Sequence, residues 1–353
     1  MKLLGIKDEC WCGSKKLFRD CHKAQVSREV DEIIAVSAIS NAMKRWKKCY
    51  HWDASESCKG RPIRAHTIQR QGVLRHILDE NQHCLSFKGA SHDESDLPEL
   101  KEVGWRNASA FFGFCQHHDK IFAPIEEGNF EVTEKNLLLA AFRVVSFELH
   151  QKESSLSAIE QFKAKNPSIN NDLQFHAMLK VHQEGLENAL KYAQMISSEL
   201  KGGKSLLRHA VIEVAGTAEF LAAGTPSPGK LGGPPRIAPI GSPLPPDGFL
   251  FTSVHEQKNG YIWCFSYPPD DKIASDFVNF VVDKETKLDE SILPHILSQY
   301  CEHTFFSWSW WSALNYNQRT FLRMVTADLF EEFDPHKLQP MPSQRTAIKA
   351  YHL

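Results

Sequence analysis

Two stretches decide the fold: CYHWDASESCKGRPIRAHTIQRQGVLRHI, residues 49–77, and VGWRNASAFFGFCQHHDKIFAPIE, residues 103–126. The first carries Cys49, Cys58 and His66, and the second Cys115, His117, His118 and Asp119. Thiolate and imidazole are the donors that Zn²⁺ prefers in closed tetrahedral sites. Cys49 and Cys58 therefore read as one ligand pair and Cys115-x-x-His118 as the other, with His117 the alternative fourth ligand if the turn is tighter.

A treble-clef zinc finger divides its ligands in this way, one pair from an N-terminal hairpin and one from the first turn of a helix. The order of elements over residues 49–126 then resembles the HNH endonucleases, a treble-clef ββα-metal family. In that family a strand-end His activates water and a side chain just after the second knuckle holds a catalytic metal. The resemblance puts His66 of Ala65-His66-Thr67-Ile68 in the place of the base and Asp119 in the place of the metal ligand. Asp119 stands where the family usually has His, and the intermediate Asn has no firm match, with Asn107 the nearest candidate. The chemistry that the resemblance implies is consistent with these side chains. A neutral imidazole takes a proton from water near pH 7, and a hard ion such as Mg²⁺ or Mn²⁺ seeks carboxylate oxygen.

Working outward, residues 8–23 read DECWCGSKKLFRDCHK and place Cys10, Cys12, Cys21 and His22 in a C-x-C-x8-C-H spacing. Four soft donors so close in sequence suit a second structural zinc ion, whose binding would supply the folding energy of a segment too short for a core. The spacing, Gly13-Ser14, the run Lys15-Lys16-Leu17-Phe18 and the closing Cys-His resemble a SEC-C motif. Such modules resemble docking elements for protein, nucleic acid or ribosomes. The remaining cysteines, Cys84, Cys264 and Cys301, read as packed thiols.

The charge follows the cysteines. Residues 1–70 hold 15 Lys and Arg against 8 Asp and Glu, so a basic head precedes an acidic remainder within a chain of net charge −2. Lys44, Arg45, Lys47 and Lys48 lead into Cys49, while Lys59, Arg61, Arg64 and Arg70 surround His66, a density that attracts phosphate. No apolar run is long enough to span a bilayer and no secretory leader is evident, so a cytoplasmic protein with no membrane partner and with reduced thiols is expected.

The expected fold class is α+β: an N-terminal zinc module (1–25), a linker helix (26–48), a treble-clef HNH-like ββα-metal domain (49–130), a helical middle segment (131–205) and a C-terminal mixed α/β domain (206–353). Within the last, VIEVAG (211–216), FLFTSV (249–254), YIWCFSY (261–267) and FVNFVVD (277–283) read as strands and ILPHILSQYCEH and NQRTFLRMVTADLFEEF as helices. The aromatic TFFSWSWWSALNY (304–316) reads as packed core or interface. The leading expectation is a zinc-stabilised, divalent-metal-dependent nuclease acting on DNA or RNA. By analogy of architecture it would belong to a bacterial phage-defence or conflict system. The rival is a non-catalytic module that binds nucleic acid or protein through two zinc sites.

Overall fold

The computed structural model describes residues 15–17, 44–87, 97–126, 128–165, 173–204, 206–228, 248–301, 303–327 and 335–353. Cys10, Cys12, Cys21 and His22, and the linker helix as far as Met43, lie outside the described residues. The elements in chain order are α1 (Ala54–Ser57), β1 (Pro62–His66), β2 (His83–Ser86), β3 (Lys101–Gly104), β4 (Ala110–Cys115), α2 (Gln116–Asp119) and α3 (Ala123–Glu126). Two long helices follow, α4 (Glu134–Lys165) and α5 (Leu173–Leu200), then β5 (Arg208–Ala215), β6 (Phe220–Ala223), β7 (Phe251–Gln257) and β8 (Gly260–Tyr267). The chain closes with α6 (Lys272–Lys287), α7 (Leu293–Tyr300), β9 (His303–Phe306), α8 (Trp308–Ala313), α9 (Tyr316–Ala327) and β10 (Ala347–His352). The fold is mixed α/β.

The chain divides into two compact units, Met1–Trp46 with His150–Asn188, and Lys47–Leu149 with Ala189–Leu353. The first takes the C-terminal part of α4 and most of α5. The second holds all ten named strands in three antiparallel sheets: β1-β4, β10-β5-β8-β7 and β3-β2-β9-β6. In the last of these, β2 and β3 join β6 and β9, so one sheet draws strands from the stretches 49–130 and 206–353.

β8 is paired on both edges and buried along all of Gly260–Tyr267, which is why its sequence is a near-continuous apolar run instead of an alternating one. Its Trp263 and Phe265, with Phe251, Phe277, Phe305 and Phe306, are among the largest fully buried side chains, each worth roughly 1.5–3 kcal/mol of apolar burial.

The stretch FVNFVVD corrects the sequence reading. It is helical, within α6, where Asp271 caps the N-terminus by accepting from the Ala274 amide at 2.9 Å. Ala274, Phe277, Val278, Val281 and Glu285 are buried, a spacing of three and four that makes one helical face and overrides the strand preference of the valines. The aromatic stretch 304–316 packs in part: Trp310 stacks on Phe306 with centroids 5.6 Å apart, and its indole N–H donates to the Pro342 carbonyl at 2.8 Å, whereas Trp308 and Tyr316 are exposed. Cys84, Cys264 and Cys301 are buried free thiols, as expected. Among the described residues no helix is long and apolar enough to cross a membrane.

Candidate metal centre

The scaffold is the β1-β4 ribbon. Pro62 pairs with Cys115, Ile63 with Phe114 and Ala65 with Phe111, with a bulge at the exposed Arg64 between them. The segment before β1 lies along the other edge of β4, where the Tyr50 amide donates to the Gly113 carbonyl at 2.8 Å. Cys49 is thereby brought to Cys115, and α2, starting directly after Cys115, returns His118 to the same point three residues on.

The candidate ligand atoms of Cys49, Cys58, Cys115 and His118 all lie within 4.8 Å of one another. His118 Nδ1 is 3.3 Å from Cys49 Sγ, 3.6 Å from Cys58 Sγ and 3.4 Å from Cys115 Sγ. With Zn–S near 2.3 Å and Zn–N near 2.0–2.1 Å, the S···N edge of a tetrahedron is about 3.6 Å, so the imidazole already stands at ligand spacing from each of the three thiols. The Cys115 amide also donates to Cys49 Sγ at 3.4 Å, a bond that favours thiolate.

The thiols acidify unevenly. Desolvation, with Cys49 and Cys115 close by, pushes Cys58 up to about 12. Desolvation also opposes ionisation of Cys115, but the backbone amides of His118, Lys59 and His117 outweigh it and bring that thiol down. Three thiols so close become thiolates together only around a cation, which is the chemistry that a metal ion such as zinc supplies. The cluster could hold such an ion. His117 is exposed, and its neighbour His118 is the imidazole that joins the thiols.

His66 ends β1, half-buried, with Nδ1 2.9 Å from the Ala108 carbonyl oxygen. A carbonyl only accepts, so the proton sits on Nδ1 and Nε2 is left as the basic nitrogen, without a hydrogen-bond partner among the described residues. Burial, with the charges of Arg70, Arg143 and Arg64 added, outweighs that bond and lowers the imidazole to about 4. His66 is therefore neutral at pH 7. Asp119 ends α2, half-buried, and its Oδ1 is enclosed without a hydrogen-bond partner among the described residues. Burial raises its carboxyl, Arg143 opposes that and Glu126 reinforces it.

The loop after β3 holds this arrangement. The Asn107 amide donates to the Gly104 carbonyl at 2.8 Å, and Asn107 Oδ1 accepts from Arg64 at 3.0 Å. Ser109, at φ 55°, brackets Ile68 with two hydrogen bonds, its Oγ donating to the carbonyl at 3.1 Å and accepting from the amide at 3.3 Å. Composition-based reasoning missed Arg143 of α4, which is 1% exposed. Its Nη2 donates to Glu126 at 2.6 Å and its guanidinium lies 4.1 Å from the Phe122 ring centre. Nothing near Cys115 in sequence signals it. The Ala108 carbonyl and Ser57, a partner of His118, were equally unreadable, because backbone and hydroxyl partners carry no spacing signature.

Of the basic residues, Lys47, Lys59, Arg61 and Arg64 are exposed and Arg70 is half-buried, and none pairs with a carboxylate among the described residues. Fold and donors together define a mixed α/β protein with a Cys₃His cluster suited to a metal ion. No family model, curated protein or solved structure matches the chain.

Proposed function

We propose that the protein is a zinc-stabilised nuclease, an HNH-like treble clef that hydrolyses phosphodiester bonds in DNA or RNA with His66 as general base. The observation that carries this is the tautomer of His66: the bond of Nδ1 to the Ala108 carbonyl leaves Nε2 as the basic nitrogen of a neutral ring, near Arg64 and Arg70, neither of which pairs with a carboxylate among the described residues. In the step, Nε2 takes a proton from water as the oxygen attacks phosphorus, and the P–O bond to the leaving sugar oxygen breaks. Asp119 is the carboxylate that would hold Mg²⁺ or Mn²⁺, which when bound supplies positive charge to the scissile phosphate. Arg64 and Arg70 supply phosphate attraction without reading sequence.

The second reading, a non-catalytic zinc-dependent module that binds nucleic acid or protein, is favoured by one observation: Oδ1 of Asp119 is enclosed next to Arg143 and Glu126 instead of facing water. Incubation with labelled single- and double-stranded DNA and RNA plus Mg²⁺ or Mn²⁺ separates the two. Cleavage lost in His66→Ala, with zinc content and fold retained, supports the nuclease. Binding without cleavage of any substrate removes it and leaves the module.

A further inference from the structure

Trp105 opens the loop that also carries the Ala108 carbonyl, and two cations lie close to its ring. Arg70 Cζ lies 4.2 Å from the ring centre and Arg106 Cζ 5.4 Å. The Trp105 amide donates to the Gln82 carbonyl at 3.0 Å, which fixes the loop to the turn before β2. On the adjoining ribbon a second aromatic is covered in the same manner, with Lys47 Nζ 4.6 Å and Arg64 Cζ 5.7 Å from the Phe112 ring centre. Arg64 joins the two positions through its bonds to Asn107 Oδ1 at 3.0 Å and the Arg106 carbonyl at 3.3 Å. Neither Arg70 nor Arg106 has a carboxylate partner among the described residues.

We propose that Trp105, with the guanidinium groups of Arg70 and Arg106 close to its ring, is a stacking site for an unpaired base of single-stranded nucleic acid. It deepens the nucleic-acid reading above and rests on it. Every base has a π face, but a duplex hides that face inside its own stack, so an aromatic ring beside cations selects strands whose bases are free. The base takes the place of Arg106, which is exposed and the farther of the two cations, and Arg106 turns to the adjoining phosphate. Arg70 stays on the ring, polarising it and keeping a positive charge close to His66. Phe112, with Lys47 and Arg64, continues the track for the next stretch of backbone.

The test is fluorescence anisotropy with the full-length, zinc-loaded protein and no added Mg²⁺ or Mn²⁺, using labelled single-stranded DNA, single-stranded RNA and a duplex of matching sequence. The parent should bind one or both single strands more tightly than the duplex. Trp105→Ala should weaken single-strand binding about tenfold and leave duplex binding within about twofold, while Trp105→Phe keeps most of the affinity. Arg106→Gln should reduce the slope of log K against log salt by about one. Zinc content and circular dichroism establish that each variant is folded, and Trp105→Leu, which fills the space without a π face and should likewise weaken single-strand binding, serves if the alanine variant is not. Equal single-strand affinity in Trp105→Ala and parent overturns the proposal, as does a preference for duplex or equal displacement by polyglutamate. A parent that binds single strands through Trp105 and cuts nothing overturns the nuclease alone, whereas cutting that is insensitive to Trp105→Ala overturns the stacking site alone.

Discussion

Ser57 Oγ stands 2.8 Å from Nε2 of His118, on the far side of the ring from the three thiols. A metal bound at Nδ1 leaves the ring proton on Nε2, so His118 donates to Ser57. Ser57 donates in turn to the Asp53 carbonyl at 2.9 Å. His51 lies flat against His118, with ring centroids 3.9 Å apart and planes at 2°, so the ring is held from its edge and from one face before any ion arrives.

Ser57→Ala should therefore weaken zinc binding about 10–100-fold without changing the ligand set, because the partner that orients the ring is gone. Competition with a graded series of chelators measures this directly. Affinity equal to that of the parent would mean that stacking on His51 and the backbone of α2 suffice to aim the imidazole.

Removing a ligand should do more. Cys115 pairs with Pro62 in β4 and also starts α2, so its thiolate ties the ribbon to the helix. Cys115→Ser should lower the zinc content by one ion per chain and the melting temperature by about 10 °C, since metal binding free energy at such a site is folding free energy. Elemental analysis and calorimetry read both quantities. A variant with unchanged zinc would place the ion elsewhere.

The candidate metal donors were legible in the sequence because thiols and an imidazole in ligand-like spacing are the donors that zinc prefers, and the spacing Cys115-x-x-His118 is set by one helical turn. The strands β5, β7 and β8 were legible from their apolar runs. FVNFVVD was not, because β-branched residues satisfy both a strand and a helix when short, and the decisive cap, Asp271, lies outside the run. The partnership of β2 with β9 was also hidden. It joins Leu85 to Phe306 across more than two hundred residues, and nothing local in either strand names the other.

His209, His255 and His295 lie in the second compact unit at 3–5% exposure, and burial lowers them to about 4, about 3 and about 4. Each is neutral when folded and binds a proton near pH 6.5 when unfolded. Between those values the unfolded chain holds more protons, so each contributes stability above pH 6.5 that fades as pH falls toward 4. His295 Nδ1 accepts from the Gln339 amide at 3.1 Å, a bond that protonation of that nitrogen would break. Urea unfolding of the parent and of His295→Asn, compared at pH 7 and pH 5, isolates one histidine from the other titrating groups. The advantage of the parent should shrink by about 2 kcal/mol at pH 5. An advantage independent of pH would show that His295 titrates normally.

Glu285 and Arg345 form an ion pair at 2.5 Å with side chains only 1% and 6% exposed. Glu285 extends from α6 to the start of α7, where it accepts from the amides of Ile292 at 2.5 Å and Leu293 at 3.1 Å and from Ser291 Oγ at 3.0 Å. Burial drives its carboxyl upward, and Arg345 with these donors pulls it back. Arg345 also donates to the carbonyls of Leu288 and Glu290, so it fastens the α6–α7 connection to the segment leading into β10. Arg345→Met leaves the carboxylate uncompensated and should cost about 3–5 kcal/mol in urea unfolding. Adding Glu285→Gln should recover part of that loss, because a neutral amide needs no counter-charge, whereas Glu285→Gln alone leaves the guanidinium unpaired. Additive losses in the double variant would show that the two residues stabilise the fold independently, through their backbone contacts and not through each other.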